Sequence, residues 1–361
     1  MSLTRRTLMT AGAALALPFS VLPRAAQAST PTLAVPAPTG RHRVGTRLLH
    51  LIDRGRPDPL APDSRARELI VRLFYPTAAG GRPDATYLSP TLSSVLTEQI
   101  NALAGIDLPL DILTFRTHGR VDAPIAAAAC HRAVLFSPGL GTNAAIYTAL
   151  MEDLASRGFV VAGLDHTFDA VVEFPGGRVQ PPAENVPFEQ MLAVRTADMR
   201  FVLDHLSGSM ELGGVAAVGH SMGSMTAIQA ILADRRIGAG VVLDGNPMGQ
   251  GSVDRPLMML GNPSHRRAAD PDWAGFYDRL RGPRLHLVVD GMEHLDLSDI
   301  AAFKMVVDLG SVFEVGPIDG LRAIAVTRAY VAAWLEFGLG GRSHPILRRE
   351  PKRFPEVDFQ P

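Results

Sequence analysis

The sequence predicts an α/β fold with a mostly parallel sheet, and three features carry that prediction. From Arg132 onward, short apolar runs alternate with segments of helical periodicity, the pattern of strands buried on both faces and covered by helices. Two alternating segments precede that region, Val44 to Leu51 and Glu68 to Pro76, and read as a pair of antiparallel edge strands. Gly219-His220-Ser221-Met222-Gly223 stands between the apolar run Val215 to Val218 and the helical stretch Met225 to Leu232. Strand, sharp turn and helix is the context in which G-x-S-x-G raises a serine hydroxyl clear of a sheet. Without that context the same five residues would be an ordinary strand-to-helix turn.

Composition narrows the class. The chain has 361 residues, 47% hydrophobic and 20% charged, with a formal net charge of −1. That suits one large core and argues against a disordered chain. A near-neutral chain without a basic stripe gives no electrostatic reason to expect nucleic acid. Cys130 is the only cysteine, so an intramolecular disulfide and a cysteine-based metal cluster are impossible.

In chain order, Thr4-Arg5-Arg6-Thr7 leads an apolar stretch from Ala11 to Leu22, followed by Ala26-Gln27-Ala28. A basic start, a short apolar region and a small-x-small site read as a signal peptide over residues 1–28. The expectation is a secreted protein. The arginine pair points to the twin-arginine route, with ordinary Sec export as the alternative. No later segment approaches the roughly 20 continuous apolar residues of a membrane helix. Residues 29–41 are Pro/Thr/Ala-rich and read as a linker, leaving 42–361 as one catalytic domain. Residues 83–130 place Leu92, Val95, Leu96, Ile100 and Leu103 at helical spacing, then the apolar Ile106 to Phe115, and predict a helical insertion over the sheet. That insertion could line an acyl pocket, touch a lipid surface, or simply pack.

Strand runs follow at Ala133 to Phe136, Phe159 to Leu164, Val215 to Val218, Gly240 to Leu243, Pro256 to Leu260 and Leu285 to Val289. Helices are expected near Asn143 to Arg157, Pro187 to Leu206, Pro271 to Arg281 and Ile318 to Phe337. Glu173 to Arg178 reads as a hairpin or turn. Two antiparallel strands leading into about six parallel ones outline the α/β-hydrolase fold.

That fold orders its catalytic groups as serine, acid, histidine, each at a strand's C-terminal end. Ser221 is then the nucleophile. His294, in Asp290-Gly291-Met292-Glu293-His294 after the last parallel strand, is the general base. Asp244, at the end of the strand after the elbow helix, is the acid. The more common acid position, one strand later, reads Leu260-Gly261-Asn262-Pro263 and has no carboxylate. A turn aspartate is the alternative reading of Asp244. The backbone N–H groups of Leu140 and Met222 are the expected oxyanion donors. His166, with Asp165, Asp169 and Glu173 nearby, fits no familiar metal-ligand spacing. It reads as a structural histidine or as a polar group facing the cleft, and no metal or cofactor is called for.

These residues also carry a family resemblance. Ser137-Pro138-Gly139-Leu140-Gly141, Gly219 to Gly223, Leu243-Asp244 with Pro247-Met248-Gly249, and His294 resemble the platelet-activating factor acetylhydrolase family. The chain looks like its secreted actinobacterial lipase and esterase relatives over roughly residues 44 to 358. Arg67 to Pro76 and Phe174 to Arg178 share in the likeness. The resemblance implies a calcium-independent serine esterase acting on short-acyl or phospholipid-like esters, with small-molecule or lipid ester substrates as its partners. Ser224 stands where many relatives have glycine, and the lipid-contacting helices of the animal plasma enzyme are not recognisable here. A triacylglycerol lipase or cutinase-like polyester hydrolase is the alternative within enzymes. A non-catalytic protein on the same fold would be expected to lack one of Ser221, Asp244 and His294.

Overall fold

The computed structural model describes residues 32–247, 251–348 and 353–361. The expected signal peptide, residues 1–28, lies outside them, as do Met248 and Gly249. In chain order the elements are β1 (Arg43–Pro57), β2 (Ala66–Thr77), β3 (Asp84–Thr86), α1 (Pro90–Ala104), β4 (Arg116–Val121), β5 (His131–Ser137), α2 (Thr148–Ser156) and β6 (Phe159–Asp165). The short hairpin β7 (Val172–Phe174) and β8 (Arg178–Gln180) follows. Then come α3 (Phe188–Ser209), β9 (Leu212–His220), α4 (Met222–Ala233), β10 (Ile237–Leu243), β11 (Leu257–Gly261), α5 (Pro271–Arg279), β12 (Arg284–Val289), α6 (Ile300–Phe303), α7 (Gly320–Gly340) and β13 (Val357–Gln360).

One eleven-stranded sheet runs β13-β12-β11-β10-β9-β5-β6-β2-β1-β4-β3. The stretch from β12 to β6 is parallel throughout, and β2 joins it antiparallel. Continuous apolar runs are what such strands require, because side chains alternate between two covered faces. In β9, Ala216 and Val218 join one core with Leu150 and Tyr330, while Val215 and Ala217 join the other with Met199 and Ile228. Helices α2 and α7 therefore cover one face, and α3, α4 and α5 the other. This is the α/β-hydrolase architecture.

The topology also decides where a site can form. From β5 the chain moves outward to β6 and then returns to β9 on β5's other side. Loops leaving neighbouring strands in opposite directions open a crevice at their C-terminal ends. Here those loops start at Ser137 and His220.

Two expectations need correction. Residues 83–130 hold one helix, α1, and two strands rather than a helical insertion alone. β4 pairs with Gly45 and Thr46 of β1, and β3 pairs with β4. These strands are short and polar, so their periodicity is faint beside that of α1. For the same reason β1 and β2 are not edge strands, since β4 covers β1 and β2 lies between β1 and β6. The C-terminal segment also ends in a strand, β13, antiparallel to β12.

The long helix α3 is fastened to the sheet by charge as well as by apolar contact. Arg67 and Asp198 are both fully buried, 2.7 Å apart, and Arg67 also meets Asp58 at 3.0 Å. Burial would raise the Asp198 carboxyl, but the charge of Arg67 and the hydrogen bond from His166 outweigh it and hold it far below the ordinary range. Removing one member of such a set leaves the other charge stranded. Arg67→Met should therefore destabilise the protein by about 3–5 kcal/mol in urea unfolding. Arg65→Met, on the half-exposed neighbour, should stay within about 0.5 kcal/mol.

Candidate active site

Ser221 sits alone between β9 and α4 with φ 54° and ψ −123°, a conformation costly for any residue with a side chain. Its surroundings leave no other path. A methyl group at Gly219 would collide with the Gly223 carbonyl, and one at Gly223 with the Ser137 carbonyl. The two glycines let strand, helix and the loop after β5 pass at backbone contact. The Ser221 N–H donates to the Leu243 carbonyl at 2.9 Å, which ties the elbow to the end of β10. Ser224 takes part in the same tie. Its hydroxyl donates to the Gly219 carbonyl at 2.7 Å and accepts the Leu243 N–H at 3.1 Å.

The next residue along β10 is Asp244, itself held at φ 48° and buried. His294, reached by the loop after β12, places Nδ1 2.6 Å from Asp244 Oδ2. The loop is stiffened by a reciprocal pair in which Glu293 and Asp296 each accept the other's backbone N–H. Because a carboxylate only accepts, Nδ1 carries the proton and Nε2 is left as the basic nitrogen. The position one strand later contributes without supplying the acid. Asn262 donates its backbone N–H to Asp244 Oδ1 at 2.7 Å and its side-chain amide to Oδ2 at 3.1 Å. Burial favours the neutral carboxyl, yet the His294 hydrogen bond, the nearby His265 and the Asn262 amide together hold Asp244 below its ordinary value. His294 moves the other way. Burial depresses it, while the bond to Asp244 and that residue's charge raise it above the usual histidine value.

Of the two expected donors, Leu140 is the amide left over once its neighbours are paired. In the loop after β5, Gly139 N–H donates to the Tyr147 hydroxyl at 3.2 Å, Gly141 N–H to Asp169 at 3.0 Å and Thr142 N–H to the Gly139 carbonyl at 3.3 Å. Pro138 has no N–H. Leu140 N–H has no partner among the described residues. Met222 opens α4, where the first N–H groups have no intrahelical acceptor and the helix dipole favours negative charge. The loop faces the serine closely, since a methyl at Gly139 would stand 3.5 Å from Ser221 Cβ.

The sequence left His220 and Tyr147 unassigned. His220 Nε2 donates to the His294 carbonyl at 2.9 Å, so its Nδ1 accepts from the Tyr147 hydroxyl at 2.8 Å. The rings of His220 and His294 lie 4.5 Å apart. Burial, then repulsion from His294, pushes His220 down to about 3; it stays neutral and joins the elbow to the base loop. His220, Asp244 and His294 are metal ligands by type, but the atoms that face one another are already hydrogen-bonded. His166 is buried, bonded to Asp198 and Ser137. Asp165 is held by Arg72 and the Ala144 N–H, and Asp169 by Arg195.

Comparison with known proteins agrees with this geometry. The family model described as "Platelet-activating factor acetylhydrolase, isoform II" matches residues 27–172 and 183–343. A probable 1-alkyl-2-acetylglycerophosphocholine esterase of Arthroderma benhamiae is 26% identical, over 90% of this chain and 93% of its own length. The platelet-activating factor acetylhydrolase of Cavia porcellus is 24% identical, over 64% of this chain and 63% of its own. A ferulic acid esterase from Streptomyces cinnamoneus superposes with a TM-score of 0.80 at 34% identity, covering 90% of this chain and 98% of that one.

The opposed shifts of Asp244 and His294 can be checked without substrate. A folded-state imidazole that is raised keeps its proton to higher pH, so His294 should titrate above its ordinary 6.5 in NMR spectra. In Asp244→Asn the raising partner is gone, and the midpoint should fall as burial takes over.

Proposed function

The chain belongs to the platelet-activating factor acetylhydrolase family, isoform II, and is a carboxylic ester hydrolase; from that premise we propose that it is a serine esterase for short-acyl and phospholipid-like esters. The observation that carries the catalytic assignment is the 2.6 Å Asp244–His294 pair at the strand ends beside the Ser221 elbow. Ser221 Oγ attacks the ester carbonyl as His294 Nε2 takes its proton. The carbonyl oxygen becomes an oxyanion, received by the Leu140 and Met222 N–H groups. The C–O bond to the alcohol then breaks and His294 returns the proton to the leaving oxygen. Water, deprotonated by the same nitrogen, releases the acid and restores Ser221. Asp244 keeps the proton on Nδ1 and stabilises the imidazolium.

Family membership and the fungal relative support the acetyl-glycerophospholipid type. The structural neighbour favours a second reading, an aromatic acyl ester of the feruloyl kind.

We also read residues 1–28 as an export signal, supported by Arg5-Arg6, the apolar stretch and Ala26-Gln27-Ala28. Expression in a bacterium with both export routes should yield a secreted chain beginning at Ser29; an intracellular chain with an intact start would refute export.

The substrate test is a panel of p-nitrophenyl esters from acetyl to palmitoyl, an ether glycerophosphocholine with a 2-acetyl group, and methyl ferulate. Acetyl and butyryl esters should turn over fastest, unaffected by EDTA. Ser221→Ala should lose roughly four to six orders of magnitude in kcat. Faster turnover of methyl ferulate would select the aromatic reading, and preference for palmitoyl a lipase.

A further inference from the structure

Behind the loop that presents Leu140 lies a buried set of charged side chains that takes no direct part in the chemistry. Arg195 of α3 has no exposed surface. One of its terminal nitrogens donates to the Ser137 hydroxyl at 3.0 Å and to the Pro138 carbonyl; the other meets Asp169 at 2.7 Å. The second oxygen of Asp169 accepts the Gly141 N–H at 3.0 Å. One guanidinium thus holds the loop at Ser137 and Pro138 directly and at Gly141 through a carboxylate, with the Leu140 peptide between.

The Ser137 hydroxyl is fixed as well. His166 Nδ1 donates to Asp198 at 3.0 Å, so its Nε2 accepts from Ser137 at 3.0 Å. That directs the serine oxygen's lone pairs toward Arg195.

This arrangement is a poor source of stability. A buried ion pair often does no better than well-packed apolar side chains of the same volume, and Arg195 Nε has no partner among the described residues. Its value lies in what it immobilises. An oxyanion donor acts on charge that develops only in the tetrahedral state, so misplacing it by a fraction of an ångström raises the barrier while leaving ground-state binding nearly intact.

We propose that Arg195, through the Pro138 carbonyl and Asp169, is a positioning residue that aims the Leu140 N–H at the oxyanion. This rests on the serine-esterase reading of Ser221, Asp244 and His294.

The test uses the whole chain with Arg195→Lys, Asp169→Asn and the double variant Arg195→Met/Asp169→Asn. The double variant removes both charges together and so leaves neither stranded. Readouts are Tm, kcat and KM for p-nitrophenyl acetate, and the Ki of an alkyl trifluoromethyl ketone, which forms a tetrahedral oxyanion on a reactive serine. For the folded double variant kcat should fall roughly 10- to 100-fold and KM change less than about threefold, with ketone affinity falling in parallel with kcat. Arg195→Lys should recover part of both.

Unchanged kcat, a rise in KM alone, or a loss of kcat with full ketone affinity would overturn the proposal. So would losses that merely follow Tm across the three variants. Ser221→Ala separates the two levels of argument. If it keeps full activity, the serine-esterase reading fails. If it is inactive while the Arg195 variants keep kcat, only the positioning role fails.

Discussion

Backbone clearance at residues 219 and 223 is the constraint on which the site depends. With no Cβ at either position, β9 can turn into α4 within one residue, and that residue is forced to positive φ with its side chain outward. The same contact brings the carbonyls of Ser137 and Pro138 against Gly223, which sets how near the donor loop approaches the serine. The Ser221 N–H bond to Leu243 then fixes the end of β10, so Asp244 follows one residue later in a defined place. Serine, donor loop and acid are three consequences of one close passage. Only the base comes from a segment outside it, and His220 bridges that gap through the His294 carbonyl.

Much of this was legible because it follows from short-range rules. Apolar runs announce strands covered on both faces, and the glycines of G-x-S-x-G announce a turn too tight for side chains. Asp244 was readable because a carboxylate after Val241-Val242-Leu243 needs a partner. The polar scaffold was not legible. Arg195 and Asp198 sit on the same helical face as Met191, Val194, Met199 and Val202, and that placement was the available signal. A charged pair on the apolar side of a helix must be neutralised by something packed against it. Its partners Asp169 and Arg67 lie 26 and 131 residues away in sequence, beyond any local pattern. β3, β4 and β13 escaped for a simpler reason, since short polar strands owe their structure to the neighbour they pair with.

Two histidines lie side by side in the crevice and are driven to opposite habits. His220, deep and hydrogen-bonded to a hydroxyl and a carbonyl, is kept neutral at about 3 by burial and by repulsion from His294. His294, bonded to a buried carboxylate, is raised. In the proposed reaction a proton drawn from Ser221 therefore has a single destination, and the repulsion that depresses His220 grows when His294 becomes charged. The closeness of the rings does not split the proton between them.

Asn262 shows why the site holds a single acid. It stands where the fold more often keeps its acid, and its backbone N–H and side-chain amide both donate to the carboxylate on the adjacent strand. A chain with aspartate at 244 and 262 together would crowd two negative groups around one imidazole. Such a pair shares a proton instead of ionising fully. It would also lose the amide donor that now steadies Asp244. Aspartate at 244 and asparagine at 262 are therefore complementary choices, and the crevice has room for one charged acid on these two neighbouring strands at a time.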